Sequence, residues 1–117
     1  MSLRVELEHR RSVLIVRLHG ELDHHTADKV RYQMEDAIMR GDSSHVILSL
    51  KGLEFMDSSG LGVILGRYKL LKNKGGKMVV CDVSPGVHRL FELSGLFKIM
   101  PIYDNERLAL TSLEVAL

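Results

Sequence analysis

The run Val46-Ile47-Leu48-Ser49-Leu50, followed closely by Phe55-Met56-Asp57-Ser58-Ser59-Gly60-Leu61-Gly62, decides how this chain folds. The first part is a short apolar run that predicts a buried strand. The second part leads into a stretch where apolar residues recur at helical spacing until Gly75-Gly76, which predicts a helix; its apolar positions are Leu61, Ile64, Leu65, Tyr68 and Leu71. A strand that passes directly into a helix is typical of an α/β sheet.

Upstream of this unit the sequence predicts a hairpin and a helix. Leu3, Val5 and Leu7 alternate with charged residues, and Val13–Leu18 is a denser apolar run only four residues after His9. Such a pair predicts an antiparallel hairpin. Apolar residues then recur at helical spacing, with Thr26 expected as N-cap and Gly41 as the stop; they are Ala27, Val30, Met34, Ala37 and Ile38.

Downstream the strand and helix pattern repeats. Met78–Val83 predicts a buried strand, and Ser84-Pro85 predicts the cap and first residue of a short helix. Ile99–Tyr103 predicts a weak edge strand, and Asp104 or Asn105 is expected to cap a last helix. The order β-β-α-β-α-β-α-β-α predicts one α/β domain over residues 1–117, with about five strands and about four helices. The sheet is expected to be mainly parallel, with an antiparallel N-terminal hairpin.

Composition narrows the classes of function. The chain has 117 residues and a net charge of +1, whereas a nucleic-acid-binding domain is usually clearly basic. One cysteine, Cys81, excludes an internal disulfide and fits a reducing compartment. We expect a cytoplasmic protein with no membrane segment, because no apolar run is long enough to span a bilayer and the N-terminus is not a signal peptide.

The segment Asp57–Gly62 carries the chemistry, and it has two interpretations. Asp57, Ser58 and Ser59 are all good N-cap residues, so Ser58 could simply cap the helix while the glycines allow close packing. Alternatively, Ser58 presents an exposed hydroxyl at a helix N-terminus, where free N–H groups and the helix dipole favour a phosphate. Gly60 and Gly62 each cost about 1 kcal/mol relative to alanine in a helix, which suggests that another backbone or another molecule approaches closely.

With Gly20-Glu21-Leu22-Asp23 upstream, the segment Asp57-Ser58-Ser59-Gly60-Leu61-Gly62 resembles that of the STAS-domain anti-sigma-factor antagonists. The resemblance covers nearly the whole chain and implies a STAS domain. It implies a sporulation regulator that is not an enzyme: the unphosphorylated form binds an anti-sigma factor that is also a serine kinase, which frees the sigma factor. It further implies that ATP or ADP is bound by the kinase, that this chain needs no cofactor, and that a serine phosphatase resets it.

The resemblance also assigns roles to single residues. Ser58 is the implied phosphoacceptor, and Asp57 shapes the turn and makes it sensitive to added charge. Ser59, Gly60 and Gly62 present the start of the helix to the partner, and Leu61 is either an exposed anchor or a core contact. Glu21 and Asp23 are expected on the neighbouring loop, where they offer acidic contacts, although turn formation explains Asp23 equally well.

Other functions remain as alternatives. The chain could be a stand-alone STAS module in another partner-switching, scaffold or nucleotide-sensing role. A phosphoaspartate receiver domain would carry its acceptor near Asp57, but the acidic pair and the lysine that its chemistry needs are missing from the expected strand ends. A serine hydrolase lacks the motif around Ser58, and the neighbouring His24 and His25 have no partner cluster for a metal site.

Overall fold

The computed structural model describes residues 2–41 and 43–116, so Met1, Asp42 and Leu117 of the predicted domain lie outside the described residues. Within this part of the chain, the strands are β1 (Leu3–Arg10), β2 (Val13–Leu22), β3 (His45–Met56), β4 (Met78–Cys81) and β5 (Ile102–Tyr103). The helices there are α1 (Ala27–Arg40), α2 (Ser58–Asn73), α3 (Pro85–Ser94) and α4 (Glu106–Ala116). The predicted order of strands and helices is confirmed. A short 3₁₀ turn over Leu96–Lys98 was not predicted.

The strands form one mixed sheet in the order β1-β2-β3-β4-β5. β1 and β2 are antiparallel, whereas β2, β3, β4 and β5 run parallel to their neighbours. The prediction of a mainly parallel sheet with an antiparallel hairpin is therefore confirmed. The carboxyl ends of β2 and β3 lie side by side, because Leu22 pairs with Met56 at the end of their register.

The two central strands are longer than the sequence predicts. β2 runs on to Leu22 rather than ending at Leu18, and β3 runs on to Met56 rather than ending at Leu50. Register shifts between Arg17 and His19, and between Gly20 and Glu21, interrupt the alternation of inward and outward side chains. The apolar runs that predict these strands end at Leu18 and Leu50, and no regular alternation continues through the irregular extensions, so the extensions were missed.

The two faces of the sheet are covered differently. One face carries the larger apolar core, which packs against α1, α2 and α3 through residues such as Met34, Ile64 and Phe91. The opposite face carries a smaller cluster in which Ala109 and Leu113 of α4 cover Ile15 and Ile47. Since side chains alternate along a strand, neighbouring residues of β2 contribute to the two clusters in turn.

The helix termini follow the predicted capping pattern, with one exception. Ser84 accepts a hydrogen bond from the Val87 amide at 3.4 Å, and Asn105 accepts one from the Leu108 amide at 2.9 Å. Gly41 ends α1, and its amide donates to the carbonyl of Ala37. Thr26 is the N-cap of α1, as predicted, but its side chain accepts no capping hydrogen bond from the helix.

Candidate functional site

The start of α2 lies at the carboxyl end of β3, where α/β sheets usually hold their functional groups. Asp57 is the N-cap: its carboxylate accepts the Ser59 amide at 2.9 Å. The Asp57 amide donates to the carbonyl of Leu22 at 3.2 Å, which ties the start of α2 to the end of β2. Asp57 therefore satisfies one free amide of the helix and anchors it to the sheet.

Ser58 is the first residue of α2 and is exposed to solvent. Within the described part of the chain, its hydroxyl makes no hydrogen bond, because the neighbouring Asp57 caps the helix instead. The interpretation of Ser58 as the capping residue is therefore wrong. The result is an unoccupied hydroxyl at the positive end of a helix of 16 residues, open to a reacting partner.

The two glycines near Ser58 have different surroundings. A Cβ atom at Gly60 would lie 2.5 Å from Met56 Cγ and 2.9 Å from Leu22 Cγ, so only glycine fits between the helix and the sheet ends. A Cβ atom at Gly62 would meet nothing within 4 Å. Leu61 is half-buried against the main core, which favours its role as a core contact over that of an exposed anchor.

The two acidic residues of the upstream segment also differ in their accessibility. Glu21 lies in β2 rather than on a loop, because β2 continues to Leu22, and it pairs in register with Phe55. Asp23 follows the strand and is only 4% exposed. Its carboxylate accepts the amides of His25 at 2.9 Å and Thr26 at 3.1 Å.

The environment of Asp23 also acts on its ionisation. Burial acts to raise the pKa of Asp23, but the hydrogen bonds from the amides of His25 and Thr26 outweigh it, and the pKa lies below its ordinary value. An ionised, hydrogen-bonded carboxylate of this kind shapes the turn before α1. The geometry favours turn formation for Asp23, and Glu21 is the more accessible acid of the pair.

The structure adds Glu54 and Phe55 to the residues near the site. Phe55 is 46% exposed although it is aromatic, and Glu54 beside it is also exposed. The sequence carried a signal for Phe55, since an aromatic residue directly precedes the motif in a chain with only 5% aromatic residues. Its outward orientation could not be read from the sequence, because β3 was predicted to end at Leu50.

The described residues offer little for other chemistry. They contain no group of three or more histidine, cysteine, aspartate or glutamate residues arranged to hold a metal ion. The exposed rings of His24 and His25 stack on each other, with centroids 3.9 Å apart. Cys81 is buried, and burial together with the nearby Asp82 raises the pKa of its thiol to about 12, so the reactive thiolate is not formed at neutral pH. Across the same residues, the helices are too short or too polar to cross a bilayer.

Comparison with known proteins gives a consistent result. Residues 4–109 match the family model of the STAS domain. The chain is 70% identical over 115 residues to the anti-sigma F factor antagonist of Paenibacillus polymyxa, and the match covers 98% of both chains. It is 30% identical to the anti-sigma-B factor antagonist of Bacillus subtilis, over 87% of this chain and 92% of the relative.

Two solved structures of SpoIIAA are also similar. The unphosphorylated form of that anti-sigma factor antagonist has a TM-score of 0.83 and 35% identity, covering 95% of this chain and 96% of the other. The phosphorylated form of the Bacillus protein has a TM-score of 0.75 and 34% identity, covering 94% of this chain and 99% of the other. The fold described above is thus similar to both forms of one regulatory protein.

Proposed function

The chain belongs to the STAS-domain family of anti-sigma-factor antagonists, and we propose that Ser58 is the switch by which it acts. In this proposal the unphosphorylated chain binds an anti-sigma factor that is also a serine kinase. Binding releases a sigma factor for sporulation transcription. Phosphate on Ser58 ends the interaction, and a serine phosphatase restores it.

One observation carries the proposal: the Ser58 hydroxyl is exposed and unbonded within the described residues, while Asp57 caps α2. A phosphoacceptor must reach the donor phosphate without first breaking native contacts. Because Asp57 holds the first turn, Ser58 can react while the helix stays formed. The neighbouring Gly62 adds no side chain that would obstruct an approaching kinase.

The proposed reaction is a phosphoryl transfer. The oxygen of the Ser58 hydroxyl forms a bond to the γ-phosphorus of ATP, the bond from that phosphorus to the β-phosphate oxygen breaks, and ADP leaves. The hydroxyl proton passes to a base of the kinase. We propose that the nucleotide is bound by the kinase rather than by this chain. We also propose that the chain and the kinase meet in the cytoplasm.

In this proposal, phosphate on Ser58 inhibits binding through the negative charge that it adds at the start of α2. A phosphate adds about −1.5 to −2 charges at neutral pH, and on Ser58 it lies next to the carboxylate of Asp57. The start of α2 tolerates that charge, since free amides and the helix dipole favour an anion there. A kinase cleft that still holds ADP repels the phosphorylated chain, because the phosphate on Ser58 then faces the phosphates of the nucleotide.

The test is to incubate the purified chain with ATP and the anti-sigma serine kinase encoded in the same genome, followed by peptide mass mapping. We expect one phosphate per chain, on Ser58. Ser58→Ala should take up no phosphate and keep its affinity for the kinase. Ser58→Asp should bind at least about tenfold more weakly, because a carboxylate supplies part of the phosphate charge.

Ser59→Ala is the matched control. Only the backbone amide of Ser59 contributes to the cap, so this variant should keep both the helix start and phosphorylation at Ser58. An aspartyl phosphate is lost in acid whereas a phosphoserine survives, so an acid-labile phosphate would place the modification on Asp57 and contradict the proposal. So would equal binding by Ser58→Ala and Ser58→Asp.

A further inference from the structure

Two segments that meet at the amino end of the parallel strands contain lysines but no acids. Residues 58–81 and 93–103 have no aspartate or glutamate, although the chain as a whole has a net charge of only +1. Lys72, Lys74 and Lys77 belong to the first segment and Lys98 to the second, and we call these four residues the lysine patch. All four are exposed. The positive charge of these segments is therefore not balanced by acids of the same segments.

The fold brings the lysine patch together from separate elements. Lys72 lies in the last turn of α2, Lys77 directly precedes β4, and Lys98 ends the 3₁₀ turn that precedes β5. Lys72 and Lys77 line one pit of about 340 Å³ together with Tyr68 and Ile99, and none of the residues that line this pit is acidic. The patch is thus one continuous basic surface at this end of the sheet.

The charges of the lysine patch are not neutralised within the fold. Every ion pair of the described residues has an arginine or a histidine as its base, so none of these lysines is paired there. Lys74 Nζ donates to the Ile38 carbonyl at 3.0 Å, and Lys72 Nζ lies 5.8 Å from the centroid of the Tyr68 ring. Neither partner carries a negative charge. Such a surface attracts an anionic partner.

The turn that carries Lys98 also exposes two large apolar side chains. Leu96 and Met100 are buried, whereas Phe97 and Ile99, on either side of Lys98, are 45% and 42% exposed. The turn is well defined, because the amides of Ile99 and Met100 both donate to the Leu96 carbonyl, at 3.1 and 3.0 Å. The fold therefore holds an ammonium group between two apolar side chains at the surface.

We propose that the lysine patch and the turn Phe97–Ile99 bind the surface of an anionic membrane. The lysines lie against the phosphate headgroups, and Phe97 and Ile99 enter the interface without spanning the bilayer. Basic residues beside exposed apolar side chains are typical of such interfacial binding. A planar anionic surface can contact all of these groups at once, although they come from separate elements, whereas a single acidic peptide in the pit would leave Lys98 and Phe97 outside.

This orientation leaves the proposed phosphorylation site free. Ser58 is the first residue of α2 and the lysine patch begins in its last turn. The 16 residues of α2 separate the two ends by about 24 Å, at 1.5 Å per residue. A chain bound to the membrane can therefore still present Ser58 to a kinase, and membrane binding does not depend on the phosphorylation of Ser58.

The test is co-sedimentation of the full chain with vesicles made of phosphatidylglycerol and phosphatidylcholine, or of phosphatidylcholine alone. We expect binding to the anionic vesicles only, and release at high salt. Replacing Lys72→Gln together with Lys77→Gln should weaken binding at least about tenfold, because each lysine near an anionic surface contributes about fivefold. Lys51→Gln together with Arg107→Gln is the matched control. It removes the same charge from a crevice at the opposite end of the sheet, so it should bind like the wild type.

A second pair of variants tests the apolar contribution. Ile99→Ser should weaken vesicle binding about fivefold, whereas Leu108→Ser, which removes a leucine that is 40% exposed on α4, should not. Urea unfolding verifies that the variants keep the fold. Equal binding of the wild type to both kinds of vesicle would overturn the proposal. Binding to soluble poly-L-glutamate without binding to anionic vesicles would also overturn it, and would assign the lysine patch to an acidic protein. Since no measurement here uses the kinase, these results stand apart from those that test the proposed function.

Discussion

Gly60 and Gly62 are two residues apart in one helix, yet they have opposite reasons for being glycine. Gly60 is enclosed by Met56 and Leu22, so its lack of a side chain serves packing. Gly62 faces open space, so nothing inside the described fold explains it. An exposed glycine in a helix lowers stability, and its presence at Gly62 fits the proposal that a partner comes close to the helix backbone there.

Substituting alanine at the two positions should separate these roles. Gly60→Ala should lower the free energy of unfolding by about 1–3 kcal/mol, because the added methyl overlaps Met56 and Leu22. Gly62→Ala should raise it by up to about 1 kcal/mol through helix propensity, while weakening kinase binding. Urea unfolding measures the change in the free energy of unfolding for both variants. Equal stability changes at both positions would contradict this account.

At the scale of residues, the sequence predicted where the candidate site lies but not which role each of its residues has. Asp57, Ser58 and Ser59 are equally good caps by composition, and only backbone geometry assigns the task to Asp57. For Asp23 the sequence left two roles open, and burial against two amides favours the turn. Hydrogen-bond partners of this kind depend on atomic positions, which residue types do not determine.

At the scale of elements, Arg17 joins three of them: its own strand β2, the neighbouring β1 and the distant α4. Its guanidinium donates to both carboxylate oxygens of Glu106 at 2.7 and 2.9 Å, so it ties β2 to the start of α4. It also donates to Glu6 and Glu8 of β1, at 2.8 and 2.9 Å. These contacts raise the pKa of Arg17, and Arg17 in turn holds the pKa of Glu106 below its ordinary value.

Replacing Arg17 should loosen the hairpin and α4 together. Arg17→Met should cost about 1–3 kcal/mol at neutral pH, less than for a fully buried pair because Glu6 and Glu8 are partly exposed. The penalty arises because three carboxylates then face one another, so it should shrink at pH 4. Thermal unfolding at both pH values checks this. Arg10→Met is the control, since the pair of Arg10 with Glu8 is exposed and should matter little.

The element order was predictable because helical and strand periods differ clearly along most of the chain. The ends of β2 and β3 were not, since the register shifts break the pattern where the strands approach the site. β5 was predicted from Ile99 but begins at Ile102, because Ile99 and Met100 donate to Leu96 and close the 3₁₀ turn. The interaction of Arg17 with Glu106 spans 89 positions, a distance at which sequence patterns carry no signal.

For the whole molecule, acid should lower stability in two steps. Burial lowers the pKa of His45, whose Nδ1 accepts the Lys77 amide at 3.0 Å. The unfolded chain, with an ordinary histidine pKa of 6.5, takes up this proton first, so stability falls as the pH drops below 6.5. Hydrogen bonds with Arg17 lower the pKa of Glu8 and Glu106, so a second loss begins below their ordinary value of 4.5.

Urea midpoints measured from pH 8 down to about pH 2 should therefore be constant above pH 7 and then decrease twice. His45→Asn keeps an acceptor for the Lys77 amide but does not titrate, so it should lose only the first step. A variant that retained the first step would show that another group causes it. The arrangement of helices on the two faces also belongs to this scale, and the sequence did not indicate that, among the described residues, α4 is the one helix that covers the second face.

Because Asp57 and not Ser58 caps α2, the fold affects how long each state of the proposed switch lasts. In the proposed switch, the residue that caps the helix is not the residue that is modified, so we expect the two covalent states to share one fold and to interconvert without refolding. The off state then lasts as long as the phosphoester bond itself. On the proposed function, the state of the chain therefore depends on its covalent history: we expect it to change only when the kinase adds the phosphate or the phosphatase removes it, and not through thermal motion of the fold.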